Sequence, residues 1–326
     1  MIEIVVKKGK PKKSVVFDTY WKFAAERQRI FFNRIEGKAE PWTNDEILHK
    51  HKFTNTYRAS DRVSQFLIRE VIYGVDFSPK DVFFRIILFK TFNKIETWQH
   101  LEKRLGRINL ETYSFKKYSR ILDELIIAGK SIYSGAYIMT SGKSAFGHSK
   151  KYKNHLKLIE FMMSTDLPNK VMSSKSMKDL FDLLKEYPTL GNFLAYQYCI
   201  DLNYSELTDF SEMDFVVPGP GAKDGIKKCF TDVNGYSESD IIKYMCDIQQ
   251  REFDRLEIDF QSLWGRPLQL IDAQNLFCEV DKYSRVVHPS IQGISGRTRI
   301  KQVFKKSEEK ISFWYPPKWG INDLIL

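Results

Sequence analysis

Prolines set the grammar of this chain. Runs long enough for helices, with apolar residues at helical spacing, recur at 18–36, 58–73, 80–93, 96–105, 115–129, 151–164, 176–186, 190–200, 238–256 and 268–284. Pro168, Pro188, Pro218, Pro267, Pro289 and the Pro316-Pro317 pair lie between these runs or at their ends. A residue with no amide donor, whose ring clashes with the preceding turn, stops a helix there. No strand-and-helix alternation accompanies the pattern, which argues against a doubly wound sheet. The expectation is an all-α fold, mainly helical with few short strands. At 43% hydrophobic and 14% aromatic, the 326 residues can bury a sizeable core. No low-complexity linker or internal repeat divides the chain. It reads as one helical domain over 15–326, with a two-lobed form left open.

The formal charge of +10 points to a polyanionic partner, nucleic acid or a membrane surface. Five lysines crowd residues 7–13, "KKGKPKK", within an N-terminal arm over 1–14. Such an arm is expected to be mobile and to touch phosphates without reading sequence, or else simply to aid solubility. No apolar stretch is long enough for a signal peptide or a membrane span, so no membrane association is expected. Cys199, Cys229, Cys246 and Cys278 have no CxxC spacing and read as buried thiols of a reducing cytoplasm. The six histidines show no HExxH pattern, so neither metal nor other cofactor is expected.

Two helical runs carry polar faces. Arg58, Arg62, Gln65 and Arg69 follow i, i+4, i+7, i+11 spacing, a row suited to phosphate or to plain solvent. Asp272, Asn275, Glu279 and Lys282 recur through an otherwise apolar helix. A polar stripe there needs a wet cleft, a buried network or an ordinary solvated surface. The GKS of "TSGKSAFG" (140–147) is not a P-loop, because Tyr137 stands where the first glycine is required. Segment 140–153 reads as a flexible basic loop. Ser134, Ser141 and Ser144 lie in no GxSxG elbow.

The stretch "VVPGPGAKDGI" (216–226) is the sharpest local signal. A turn at Pro218-Gly219-Pro220-Gly221, with Ala222 and Lys223 opening the next helix, would offer free amides and a partial positive charge to a phosphate. It resembles the hairpin of helix-hairpin-helix DNA glycosylases. That resemblance implies a glycosylase-like architecture with a helix-hairpin-helix near 210–230. It places Lys223 at the position of the nucleophilic lysine and Asp240 near that of the catalytic aspartate. Gly219, Gly221, Ala222, Lys223 and Lys227 would hold the DNA backbone.

A second resemblance covers nearly the whole chain. "FAAERQRIFFNRIEG" (23–37), "PWTNDEILHKHKFTNTYRASDRVSQFLI" (41–68), "FRIILFKTFNKIETW" (84–98), "LGNFLAYQYCIDLNYS" (190–205), "FSEMDFVVPGPGAKDGIKKCF" (210–230), "LWGRPLQLIDAQNLFCEVDKYSR" (263–285) and "PPKWG" (316–320) resemble the alpha-glutamyl/putrescinyl-thymine pyrophosphorylase family, which includes amino acid:DNA transferases. They are similar also to the helical domain associated with 5-hydroxymethyluracil DNA kinases. The resemblance implies thymine hypermodification in bacterial viruses, hence the host cytoplasm. In that chemistry an amine or amino acid displaces phosphate or pyrophosphate from phosphorylated 5-hydroxymethyluracil in double-stranded DNA, with a kinase as a further partner. An extruded base would need a pocket. Arg27, Arg34, Arg58 and Arg62 would clamp the leaving phosphate. Asp201, Glu212 or Asp272 would take the amine proton. Asn203 and Asn275 would read the uracil edge, and Tyr204, with Trp42 or Tyr57, would stack on it. The competing readings are a helix-hairpin-helix glycosylase or lyase, and a non-catalytic DNA-binding partner of a kinase.

Overall fold

The structure is a computed structural model describing residues 9–306 and 312–325. In chain order its helices are α1 (Val15–Ile35), α2 (Glu46–Lys50), α3 (Arg62–Phe66), α4 (Pro79–Phe92), α5 (Ile95–Leu105), α6 (Phe115–Ile127), α7 (Lys143–Phe146), α8 (Lys151–Ser164), α9 (Leu167–Met172), α10 (Met177–Lys185), α11 (Asn192–Asn203), α12 (Pro220–Cys229), α13 (Glu238–Arg255) and α14 (Leu270–Val287). Serine side chains open several of them, as where Ser14 accepts from the Val16 amide and Ser78 accepts from the Asp81 amide. Among the described residues the only sheet is the antiparallel pair β1 (Lys12–Lys13) and β2 (Phe230–Asp232). The fold is therefore mainly helical, as the proline punctuation predicts. No described helix is long and apolar enough to cross a membrane.

The chain divides into two compact units. Unit 1 comprises the described residues of 1–61, 215–312 and 324–326, and unit 2 those of 62–214 and 313–323. In unit 1, α12 packs on α14 unusually closely. A Cβ on Gly221 would lie 3.0 Å from Cys278 Sγ, and one on Gly225 would lie 2.1 Å from the Phe277 carbonyl oxygen. Backbone approach requires glycine at 225, whereas at 221 the near neighbour is the Cys278 side chain. Around this pair α1 contributes Phe17, Tyr20 and Trp21, with the Trp21 ring edge-on to Phe253 at 5.2 Å.

Unit 2 is built around α4, whose residues Phe83 through Phe92 are all buried. A helix apolar on every side belongs at a centre, and α8, α9 and α11 pack against it. Arg85 lies within this core. Its Nε donates to Val71 O at 2.8 Å, its Nη1 to Ile108 O at 2.7 Å and its Nη2 to Glu70 O at 2.9 Å.

Three local expectations change. The run at 58–73 is not one helix: a 3₁₀ turn at Arg58–Ser60 ends at Asp61, whose ψ of 144° is extended, and α3 then passes into a π-helix at Leu67–Ile72. The spacing argument for Arg58, Arg62, Gln65 and Arg69 therefore fails, since they do not share one helix. The tight hairpin near 210–230 is not formed either. Pro218 and Pro220 hold the residues before them extended, Gly219 takes φ −77° and ψ 167°, and the last preceding helix ends at Asn203. Of the basic arm, residues 1–8, including Lys7 and Lys8, lie outside the described residues. Lys12 and Lys13 form β1, and Lys13 Nζ pairs with Glu252 at 2.9 Å.

Candidate functional site

The polar stripe of α14 proves to be a fastening. Asp272 Oδ1 accepts from the Arg58 amide at 2.8 Å and its Oδ2 from the Gln269 amide at 3.0 Å, closing a capping box at the head of α14. Glu279 accepts from the Thr54 amide at 3.1 Å, and Lys282 donates to Lys52 O at 2.8 Å. Successive turns of one helix thus grip the main chain of segment 52–58. That segment carries Asn55, whose amide donates to Asp61 Oδ1 at 2.8 Å and whose Nδ2 donates to Ser60 O at 2.6 Å. Asn55 Oδ1, fixed in this way, accepts from Arg27 Nη2 at 2.8 Å.

Arg27 is where this scaffold meets a cleft. The cleft is small, about 40 Å³, and is lined among others by Arg27, Arg34, Trp42, His51, Phe53 and Phe304. Arg27 is 9% exposed. Its Nη1 is buried and has no hydrogen-bond partner, and the same holds for His51 Nδ1. Burial lowers the Arg27 pKa to about 10, only partly offset by the charge of Asp61. Burial also lowers that of Arg34, with Glu40 opposing. The Arg34 guanidinium lies 5.0 Å from the Trp42 ring centroid. Behind Arg27, burial pushes the Asp61 carboxyl up to about 6, against the opposing Asn55 amide and Arg27. A buried guanidinium with an unfilled donor and a half-buried one, beside aromatic rings, are chemically suited to an anion attached to something flat.

Segment 302–304 closes one wall. Lys52 N donates to Gln302 O at 3.1 Å, Phe304 N donates to Lys50 O at 3.0 Å, and His51 and Val303 form an antiparallel bridge.

The other expected site residues are placed as follows. In unit 1, Asn275 Oδ1 accepts from Gln274 Nε2 at 3.1 Å. Tyr57 is buried and donates to Arg266 O at 2.7 Å. Gly219 starts α12, and Gly221 and Ala222 face the packed interior of unit 1. Lys223 and Lys227 are exposed, Lys223 lying 3.6 Å from Glu238. Asp240 completes a capping box with Ser237 at the head of α13. In unit 2, Asp201 forms a buried ion pair with Lys90 at 2.7 Å. Asn203 Oδ1 accepts from Thr208 Oγ1 at 3.0 Å and from the Phe210 amide at 2.9 Å. Tyr204 is buried edge-on to Trp319 at 5.8 Å. Glu212 is buried. Arg62 is half-exposed, 3.9 Å from Glu96.

Of the four arginines expected at a phosphate, the cleft brings together Arg27 and Arg34. The sequence reading passed over Asn55, Asp61, His51, Phe53 and Phe304. The segment "TNTYRASD" (54–61) offered a signal, since Asn and Asp bracket a turn there. Nothing local announces that Phe304 returns to His51.

No solved structure matches the chain. A 5-hmdU DNA kinase of Bacillus phage SP10 is 28% identical over 288 residues, covering 82% of this chain and 45% of that protein. The chain thus spans less than half the length of this relative. A family model described as the helical domain of 5-hmdU DNA kinase matches residues 14–293. On that match, which takes in α1 through α14, the chain belongs to the family of 5-hmdU DNA kinase helical domains.

Proposed function

We propose that the chain acts in thymine hypermodification, binding DNA and receiving a phosphorylated 5-hydroxymethyluracil in the cleft of unit 1. The observation that carries this reading is the buried Arg27 guanidinium, with one nitrogen unpartnered at a cleft that also holds Arg34 and aromatic rings. In this reading a phosphate takes the vacant Arg27 donor, and admitting a pyrimidine against Trp42, Phe53 or Phe304 requires the small cleft to widen. The reaction supported best is displacement. An amine or amino acid nitrogen attacks the exocyclic carbon, the carbon–oxygen bond breaks, and phosphate or pyrophosphate leaves with the electron pair. The amine proton passes to water or to the released phosphate. Arg27 and Arg34 stabilise the departing charge. The protein would work in the host cytoplasm alongside a 5-hydroxymethyluracil DNA kinase.

The test is nucleoside mass spectrometry after incubating the purified chain with DNA containing phosphomethyluracil and a panel of amines. An adducted nucleoside is expected, and its absence with every amine overturns the displacement reaction. A second reading has its own support: the matched relative is named a kinase and is more than twice as long as the matched stretch. There the chain holds DNA for phosphorylation elsewhere. It predicts DNA binding without turnover by the chain alone, and restored phosphorylation when a kinase is added.

A further inference from the structure

Residues 288–306, "HPSIQGISGRTRIKQVFKK", contain five cations and no carboxylate. No helix interrupts it. At its ends side chains tie it to the rest of unit 1, His288 Nε2 to Thr19 Oγ1 at 2.8 Å and Lys306 Nζ to Glu40 at 2.6 Å, and between them its backbone does. The Ser295 amide donates to Asp224 Oδ1 at 2.7 Å, and Gly293 lies so close that a Cβ there would come 2.7 Å from the same oxygen. Farther along, Arg285 Nη1 donates to Arg299 O at 3.0 Å. At the far end come the Lys52–Gln302 and Phe304–Lys50 backbone bonds. Main-chain anchoring leaves four of the cations outward. Arg297, Arg299, Lys301 and Lys305 are all exposed. Of these, Arg299, Lys301 and Lys305 make no ion pair with a described residue.

We propose that this strap is a DNA-backbone track, in which Arg297, Arg299 and Lys301 contact consecutive phosphates of a strand leading to the cleft. Three points favour DNA as the occupant. The cations stand at every second position, so an extended chain would space them by about 6.6 Å, the order of the phosphate repeat along one strand. Backbone contacts of this kind need charge and position but no base recognition. The track also ends at Phe304, a lining residue of the cleft, so a strand following it arrives beside Arg27 and Arg34. The destination rests on the function proposed above; the track itself does not.

The experiment measures binding of the full chain to an unmodified DNA duplex over a range of salt concentrations. The variant carries Arg297→Gln, Arg299→Gln and Lys301→Gln. A control removes the exposed Lys103, Lys116 and Lys117 of unit 2 in the same way. Losing three phosphate contacts should lower the slope of log K against log salt by about 2–3, while the control leaves it unchanged. An unchanged slope in the strap variant, or an equal loss in the control, overturns the proposal. Melting midpoints equal to wild type check folding, and single Arg299→Gln, expected to lower the slope by about 1, serves if the triple variant misfolds. The duplex carries no modified base. A missing slope change therefore counts against the strap alone, whereas missing turnover with the slope change intact counts against the displacement reaction alone.

Discussion

Arg85 in unit 2 and Arg27 in unit 1 are both buried arginines whose pKa burial lowers to about 10. Their partners separate them. Arg85 spends Nε, Nη1 and Nη2 on three carbonyls of its own unit. Arg27 gives Nη2 to Asn55 and keeps Nη1 buried without a partner beside a cleft. A desolvated cation with all its donors satisfied is a brace, tying strands of chain that would otherwise carry unsatisfied oxygens. A desolvated cation with a donor left over is held ready for an anion from outside, because the cost of burial has already been met by the fold. The two residues have the same chemistry, and only the neighbouring backbone decides which task each performs.

The largest expected effect tests the brace. Arg85→Met should cost about 3–5 kcal/mol of stability, read as a shift in the denaturant midpoint, because three carbonyls lose their donor together. A loss below about 1 kcal/mol would erase the distinction between the two arginines. Arg27→Met should do the converse. Activity or phosphate affinity should fall about 100-fold, while stability falls by only about 1 kcal/mol through the lost Asn55 bond. A pH titration of unfolding sharpens the point through Asp61. Its folded pKa of about 6 lies above the ordinary carboxylate value, so the folded state holds the extra proton between about pH 4 and 6. The associated stability is present at low pH and is lost as pH rises through about 6, by about 2–3 kcal/mol. Asp61→Asn should flatten that part of the profile, and an unchanged profile would remove Asp61 from the account of Arg27. The smallest effect concerns the helix that the sequence made most prominent. Lys223→Ala should change stability by at most about 0.5 kcal/mol, and should lower the salt slope of DNA binding by about 1 if Lys223 meets a phosphate.

Most of the fold was legible because helical spacing and prolines are local signals. The long runs are helical, with ends displaced by no more than three residues, apart from the break at Asp61. That break comes from a carboxylate that accepts the Asn55 amide in a turn, which apolar spacing does not register. Gly219 and Gly221 of "PGPGAKDGI" read as turn residues in the sequence. Gly221 and Gly225 are instead contact residues, four apart on one face of α12 against α14, a role the sequence shows only when the partner helix is known. The basic loop at 140–153 was expected to be flexible. One buried side chain fixes part of it: Asn154 Nδ2 donates to Ser141 O and His148 O, both at 2.9 Å, and its Oδ1 accepts from the His148 amide. Arginine chemistry singles out Arg27 and Arg34 as candidates together with Arg58 and Arg62, and gives no means to rank them. Ranking needed the burial and the unfilled donor, both set by long-range packing.

The bridge between His51 and Val303 has a consequence for how the molecule comes into being. Helix α1, with Arg27, emerges early in synthesis, and the segment bearing Trp42, His51 and Phe53 follows soon after. The wall carrying Phe304 is translated only after all of α2 to α14. A nascent chain can therefore hold both arginines long before it owns a cleft. Any truncation between α14 and Val303 should yield a helical protein whose anion receptor is missing one side. Competence to take up a ligand is thus gated by synthesis of the segment bearing Phe304 and not by formation of the helical core.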